Sequence, residues 1–177
     1  MSKIVLAGGL GYPYTETQAG LPTLKTRFEA IGCSVIIVPH TGSQAAYDFL
    51  KGYVGFKAIM GDSLGAGAAP SFANDLGVEV DFVGGFQPSN YDPLAKYDPT
   101  TNLYYVQVPR NVKFAHCIRN PNWFETVGLG NATYERVPSD KQPLLITEHN
   151  GMHPDDWGWS QDLIFNQVKG LINDYRP

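Results

Sequence analysis

The sequence predicts an α/β protein: a three-layer α/β/α sandwich on a mostly parallel sheet of about six strands. Three observations predict it. Short apolar runs such as Ile4-Val5-Leu6-Ala7 and Val35-Ile36-Ile37-Val38 are nearly continuous, as in strands buried on both faces. Segments with helical spacing separate them. Several runs end in glycine or proline, where a strand turns sharply toward the next helix.

In chain order, Lys3 to Leu10 is the first strand and leads into Gly8-Gly9-Leu10-Gly11. Leu21, Leu24, Phe28 and Ile31 share one helical face, with Pro22 suited to the first turn and Gly32 to the stop. Ser34 to Val38 is the second strand. Ser43 to Tyr53 is a helix, with Ala46, Phe49, Leu50 and Tyr53 on one face. Phe56 to Met60 is the third strand. The alanine- and glycine-rich segment after Ser63 is a helix that can lie close on the sheet, and Pro70 is expected to kink or end it. Val78 to Val83 is the fourth strand. Ser89 to Pro109 is expected to be mostly loop, with an extended piece over Leu103 to Val108. Val112 to Ile118 is the fifth strand, 124 to 142 is irregular, and Leu144 to Thr147 is the sixth strand. A final helix starts near Ser160, with Leu163, Ile164, Val168 and Leu171 on its apolar face.

The chain has 177 residues, 43% hydrophobic and 17% charged, which fits one globular domain over 1–177. A net charge of −4 without clustered Lys and Arg argues against nucleic acid as a partner. Cys33 and Cys117 stand in separate apolar runs and read as buried free thiols. No apolar run is long enough to span a bilayer, and the N-terminus has no signal-peptide layout, so a cytoplasmic location is expected.

The chemistry concentrates in Gly61-Asp62-Ser63-Leu64-Gly65. If a strand turns abruptly into a helix at the serine, that residue takes strained backbone angles. The residues two before and two after it must then be tiny. The hydroxyl is exposed at the tip, and the Leu64 N–H at the helix start favours a developing oxyanion.

With this motif third in the strand–helix series, the layout resembles the α/β-hydrolase family in a minimal form lacking its first two strands. The resemblance implies a nucleophile at Ser63 and a histidine in the loop after the last strand, matched by Asn150-Gly151-Met152-His153, with His153 as general base. It implies an oxyanion hole from the N–H groups of Leu64 and of Leu10 or Gly11. The family's acid follows one of the two intervening strands. Those positions hold Gln87 and Asn120, neither a carboxylate. An amide orients an imidazole but offers no counter-charge. Asn120 is taken as the orienting residue, with the loop carboxylate Asp92 as the alternative.

Tyr12 and Trp123, with Gln87, are expected to line the site of a small-molecule ester substrate. His40 follows the second strand on the same edge, and His116 inside the fifth strand reads as a satisfied core residue. His149, His153, Asp155 and Asp156 match no zinc spacing, so no metal and no other cofactor is expected. Gly61-Asp62-Ser63-Leu64 also spells the G-D-S-L esterase signature. That family carries it on its first strand with an Asp three before its histidine, whereas Asn150 stands here. Gly65-x-Gly67 lacks the glycine order of a dinucleotide turn. The reading is a serine hydrolase acting on an ester or thioester. A hydrolase-fold protein that binds without turnover is the alternative, motivated by the missing acid.

Overall fold

The computed structural model describes residues 1–9, 20–90, 95–120, 132–149 and 157–175. The main sheet consists of β1 (Ser2–Gly8), β2 (Cys33–Pro39), β3 (Lys57–Asp62), β4 (Val80–Phe86), β7 (Val112–Arg119) and β9 (Leu144–Glu148). Its strand order is β2-β1-β3-β4-β7-β9, and every pairing is parallel. The described helices are α1 (Leu21–Ala30), α2 (Ser43–Leu50), α3 (Leu64–Leu76) and α4 (Trp157–Asp174).

Alternation along each strand divides the core in two. Val5, Ile59 and Val83 face one side and pack with Leu50 of α2 and Phe72 of α3. Ile4, Met60 and Phe82 face the other and pack with Phe28 of α1 and Ile164 of α4. A strand buried on both sides has no polar face, which is why these segments read as unbroken apolar runs. Cys33 and Cys117 are buried free thiols.

Three expectations need correction. The extended piece expected over Leu103 to Val108 is β6 (Leu103–Gln107), and the stretches expected to be irregular also contain β5 (Ala95–Asp98) and β8 (Ala132–Glu135), which join it in a second sheet of order β5-β6-β8. Val106, Ala132 and Tyr134 turn inward onto α3, so this sheet stands in the layer of α2 and α3. Each strand is four or five residues long and lies among Tyr, Thr and Asp, too short and too polar for a clear alternation signal.

The second correction concerns Pro70. It does not end α3, since the helix runs on to Leu76 and closes at Gly77 with φ 66°. Proline at position 70 cannot donate to the carbonyl four residues earlier, that of Ala66. Tyr134 on β8 donates its hydroxyl to that carbonyl at 2.6 Å. Gly85 on β4 makes room for it, because a Cβ there would lie 2.3 Å from the Tyr134 oxygen. A side chain from the second sheet thus fills the gap that the proline leaves in the helix ladder. The last helix begins at Trp157, with Ser160 buried in its first turn rather than capping it.

Candidate active site

Strand register sets the site. Asp62 pairs with Phe86 and Phe86 with Ile118, so these residues stand level across β3, β4 and β7. The residues just beyond them form a row along the carboxyl rim of the sheet, where ligands bind in open parallel sheets. Ser63, Gln87 and Asn120 belong to it, and Arg119 pairs with Glu148 at its far end.

Ser63 joins β3 directly to α3 with φ 53° and ψ −115°. A side-chain-bearing residue holds such angles only when its surroundings over-determine them. The Ser63 N–H donates to the Phe86 carbonyl at 2.8 Å, while its carbonyl accepts from Gly67 N at 3.1 Å and Ser89 N at 3.2 Å. The hydroxyl makes no capping bond to the helix. The flanking glycines are required by contact: a Cβ on Gly61 would lie 2.1 Å from the Gly65 carbonyl oxygen, and one on Gly65 would lie 2.0 Å from the Ala7 carbonyl oxygen. The second contact also seats the end of β1 against the first turn of α3. Leu64 opens that turn, where an N–H has no acceptor within the helix. Asp62, between the first glycine and the serine, is buried, and burial pushes its carboxyl well above the usual carboxylate range.

Gln87 reaches the rim in a left-handed conformation, φ 53°, and is 6% exposed. Its N–H donates to the Ile118 carbonyl, and its Oε1 accepts the Asn120 N–H, both at 2.8 Å. The residue expected to meet substrate therefore spends its side-chain carbonyl on the neighbouring strand. Asn120 is buried at the end of β7. His149 donates its N–H to the Arg119 carbonyl at 2.9 Å and stacks its ring on Trp159 with centroids 4.5 Å apart. His40 is half-buried just past β2. His116 is fully buried: Gln167 Oε1 lies 2.6 Å from Nδ1 and Thr147 Oγ1 lies 2.8 Å from Nε2. Desolvation by burial lowers its pKa.

Leu10, Tyr12, Asp92, Trp123 and His153 lie outside the described residues. Among the described residues, no three His, Cys, Asp or Glu side chains gather as a metal site, and no helix is long and apolar enough to cross a membrane. Sequence reasoning missed Ser89 and Tyr134. The adjacent glycines Gly84-Gly85 inside a strand were the signal for a close approach there.

No protein-family model and no curated protein matches the sequence. Solved structures do. A protein of the α/β hydrolase superfamily from Xanthomonas campestris superposes with a TM-score of 0.60 at 12% identity, covering 96% of this chain and 99% of that one. A mouse α/β hydrolase domain-containing protein gives 0.59 at 10% identity, over 97% and 90%. A metagenome-derived lipolytic enzyme gives 0.56 at 13% identity, over 98% and 94%. The strand order, the turn at Ser63 and these likenesses agree: the chain has the fold of the α/β hydrolases.

Proposed function

We propose that this hydrolase-fold chain is a serine hydrolase, a single domain that cleaves a carboxylic ester or thioester through an acyl-enzyme on Ser63. The observation that carries the reading is the Ser63 backbone, held at φ 53° and ψ −115° between β3 and α3 with its hydroxyl free of capping duty. Strain at a strand-to-helix turn persists where a side chain must be presented at a tip. The lipolytic neighbour makes small esters the first substrates to try.

In this mechanism Ser63 Oγ attacks the acyl carbon while His153 takes its proton. The carbonyl oxygen becomes an oxyanion held by the N–H groups of Leu64 and Leu10. The proton then passes to the departing alkoxide or thiolate, and water repeats the sequence to free the acid. The reach is adequate. β9 lies three strand spacings from β3, roughly 14 Å, and any four-residue segment spans at most about 13–14 Å. Asn120, just past the end of β7 between the two, orients the imidazole, or Asp92 does so. Gln87 holds the backbone of Asn120, while Tyr12 and Trp123 wall the substrate site.

The test is labelling with a fluorophosphonate probe, alongside hydrolysis of short-chain p-nitrophenyl esters. Wild type is labelled on Ser63, and Ser63→Ala is neither labelled nor active. Equal labelling of the two proteins sinks the mechanism. One observation favours a second reading, a hydrolase-fold binding protein without turnover: both positions for the acid carry buried amides, and one is already spent on the backbone. Substrate analogues that bind a chain the probe leaves unmodified decide for it.

A further inference from the structure

His116 ties three elements together and has no part in the mechanism above. It lies on β7, on the face that α4 covers. Its Nδ1 is 2.6 Å from Gln167 Oε1 on α4, and its Nε2 is 2.8 Å from Thr147 Oγ1 on β9. An amide oxygen can only accept, so Nδ1 carries the ring proton and Nε2 is bare. The Thr147 hydroxyl therefore donates to Nε2. A hydroxyl, a base that can take its proton and a third group that fixes the base stand in sequence. That arrangement is how a side-chain hydroxyl becomes nucleophilic.

The surroundings keep the base ready. The ring is fully buried, and desolvation lowers its pKa, so it is uncharged at neutral pH. Among the described residues no charged group faces it. Phe114 and Ile118 flank it on β7, Gly84 stands beside it on β4, and Leu145 on β9. The hydroxyl is open to approach. β9 is the edge strand of the main sheet, and Thr147 is half-buried on it. Leu145, two residues earlier on the same face, is 44% exposed. The approach is apolar, and the branched Cβ of threonine leaves room for a small acyl group rather than a bulky one. The hydroxyls of Thr26 and Thr101 offer a contrast, since they donate to the Pro22 carbonyl and the Asp98 carboxylate and meet no imidazole.

We propose that Thr147 is a second acyl acceptor, activated by His116 toward small esters and thioesters with good leaving groups, which ends as a Thr147 ester. Oγ1 attacks the acyl carbon while its proton passes to Nε2. The bond from that carbon to the alkoxide or thiolate breaks, and the leaving group takes the proton from the imidazolium. The neutral imidazole is restored, and one acyl group is held per chain without turnover. None of these steps uses Ser63, so this site stands or falls independently of the proposed hydrolase mechanism.

The test is to incubate Ser63→Ala with p-nitrophenyl acetate and map the acetylated peptides by mass spectrometry. Thr147 is expected to gain one acetyl group at a rate about 100-fold or more above Thr26 and Thr101. His116→Gln in the same background should bring Thr147 down to their rate. If that buried substitution misfolds, Gln167→Glu decides, because residue 167 is half-buried on a surface helix. A carboxylate there accepts the Nδ1 proton, strengthens the base and should raise the rate about tenfold. A merely structural clip would leave the rate unchanged. Nitrogen-15 shifts of the ring should place its proton on Nδ1. No acetyl on Thr147, a rate that Gln167→Glu does not raise, or a ring proton on Nε2 overturns the proposal.

Discussion

The helix that presents Ser63 contains a proline it should not tolerate, and its remedy can be measured. Pro70 leaves the Ala66 carbonyl without its helical donor, and the Tyr134 hydroxyl takes that place at 2.6 Å. Both residues are buried. Tyr134→Phe leaves a buried carbonyl unsatisfied, a loss of about 1–3 kcal/mol. For a chain of this length, each kcal/mol moves the melting temperature by about 2–4 °C. A central loss of about 2 kcal/mol therefore lowers it by about 4–8 °C. Pro70→Ala returns an N–H to position 70, and in that background the hydroxyl becomes dispensable. The cost of Tyr134→Phe should then fall below about 1 kcal/mol, giving a coupling of roughly 1 kcal/mol or more. Urea denaturation of wild type, both single variants and the double variant measures it. Equal costs of Tyr134→Phe in the two backgrounds would refute the argument.

Three further outcomes follow from the geometry. Gly65→Ala drives a methyl to 2.0 Å from the Ala7 carbonyl oxygen, backbone against backbone. No rotamer relieves that overlap, so it costs about 3 kcal/mol or more, read as a lowered urea midpoint or as insoluble protein. His116 is neutral in its buried site, and its pKa is lowered by desolvation. The unfolded chain binds the proton first, so the stability that His116 contributes is full above about pH 6.5 and lost as pH falls toward the lower folded value. Denaturation between pH 7 and 5 should show the decline, and His116→Gln should flatten it. In the proposed mechanism Asn120→Asp supplies a counter-charge to the imidazole. It should raise kcat for p-nitrophenyl acetate about tenfold while lowering the melting temperature, because position 120 is buried. Unchanged turnover would remove residue 120 from the mechanism.

The sequence disclosed those parts of the fold whose signals are local. Ile4 to Ala7 and Phe82-Val83 are strands because apolar runs of that length bury both faces, and their order carried the layer architecture. Gly61 and Gly65 were legible because one sharp turn demands small residues on either side of it, and the contacts at both confirm the need. The second sheet was not legible. β5, β6 and β8 are held through partners distant in the chain, such as Val106 against α3 and Tyr134 against Ala66. The survival of α3 past Pro70 was hidden for the same reason, since its remedy lies 68 residues away from Ala66 in the chain. At the rim, Gln87 could be placed by position, but the direction of its side chain depends on a left-handed backbone and on the Asn120 N–H. No spacing rule encodes either.

That direction bears on the chemistry. In the proposed mechanism the third group stands at one of two strand ends, that of β4 or that of β7. Gln87 on β4 has turned its carbonyl to the Asn120 N–H and its own N–H to the Ile118 carbonyl, so it works as a clasp between strands. A carboxylate at 87 would accept the same N–H but bring an uncompensated charge into a site 6% exposed, and burial would oppose its ionisation as it does for Asp62. An amide is the group that ties the two strand ends at no electrostatic cost. The absence of an acid at the end of β4 is therefore explained by what residue 87 holds. In the proposed mechanism the counter-charge then rests with position 120 or with Asp92. Asp92→Asn set beside Asn120→Asp separates them: whichever one changes the acid limb of the pH–rate profile stands against the imidazole.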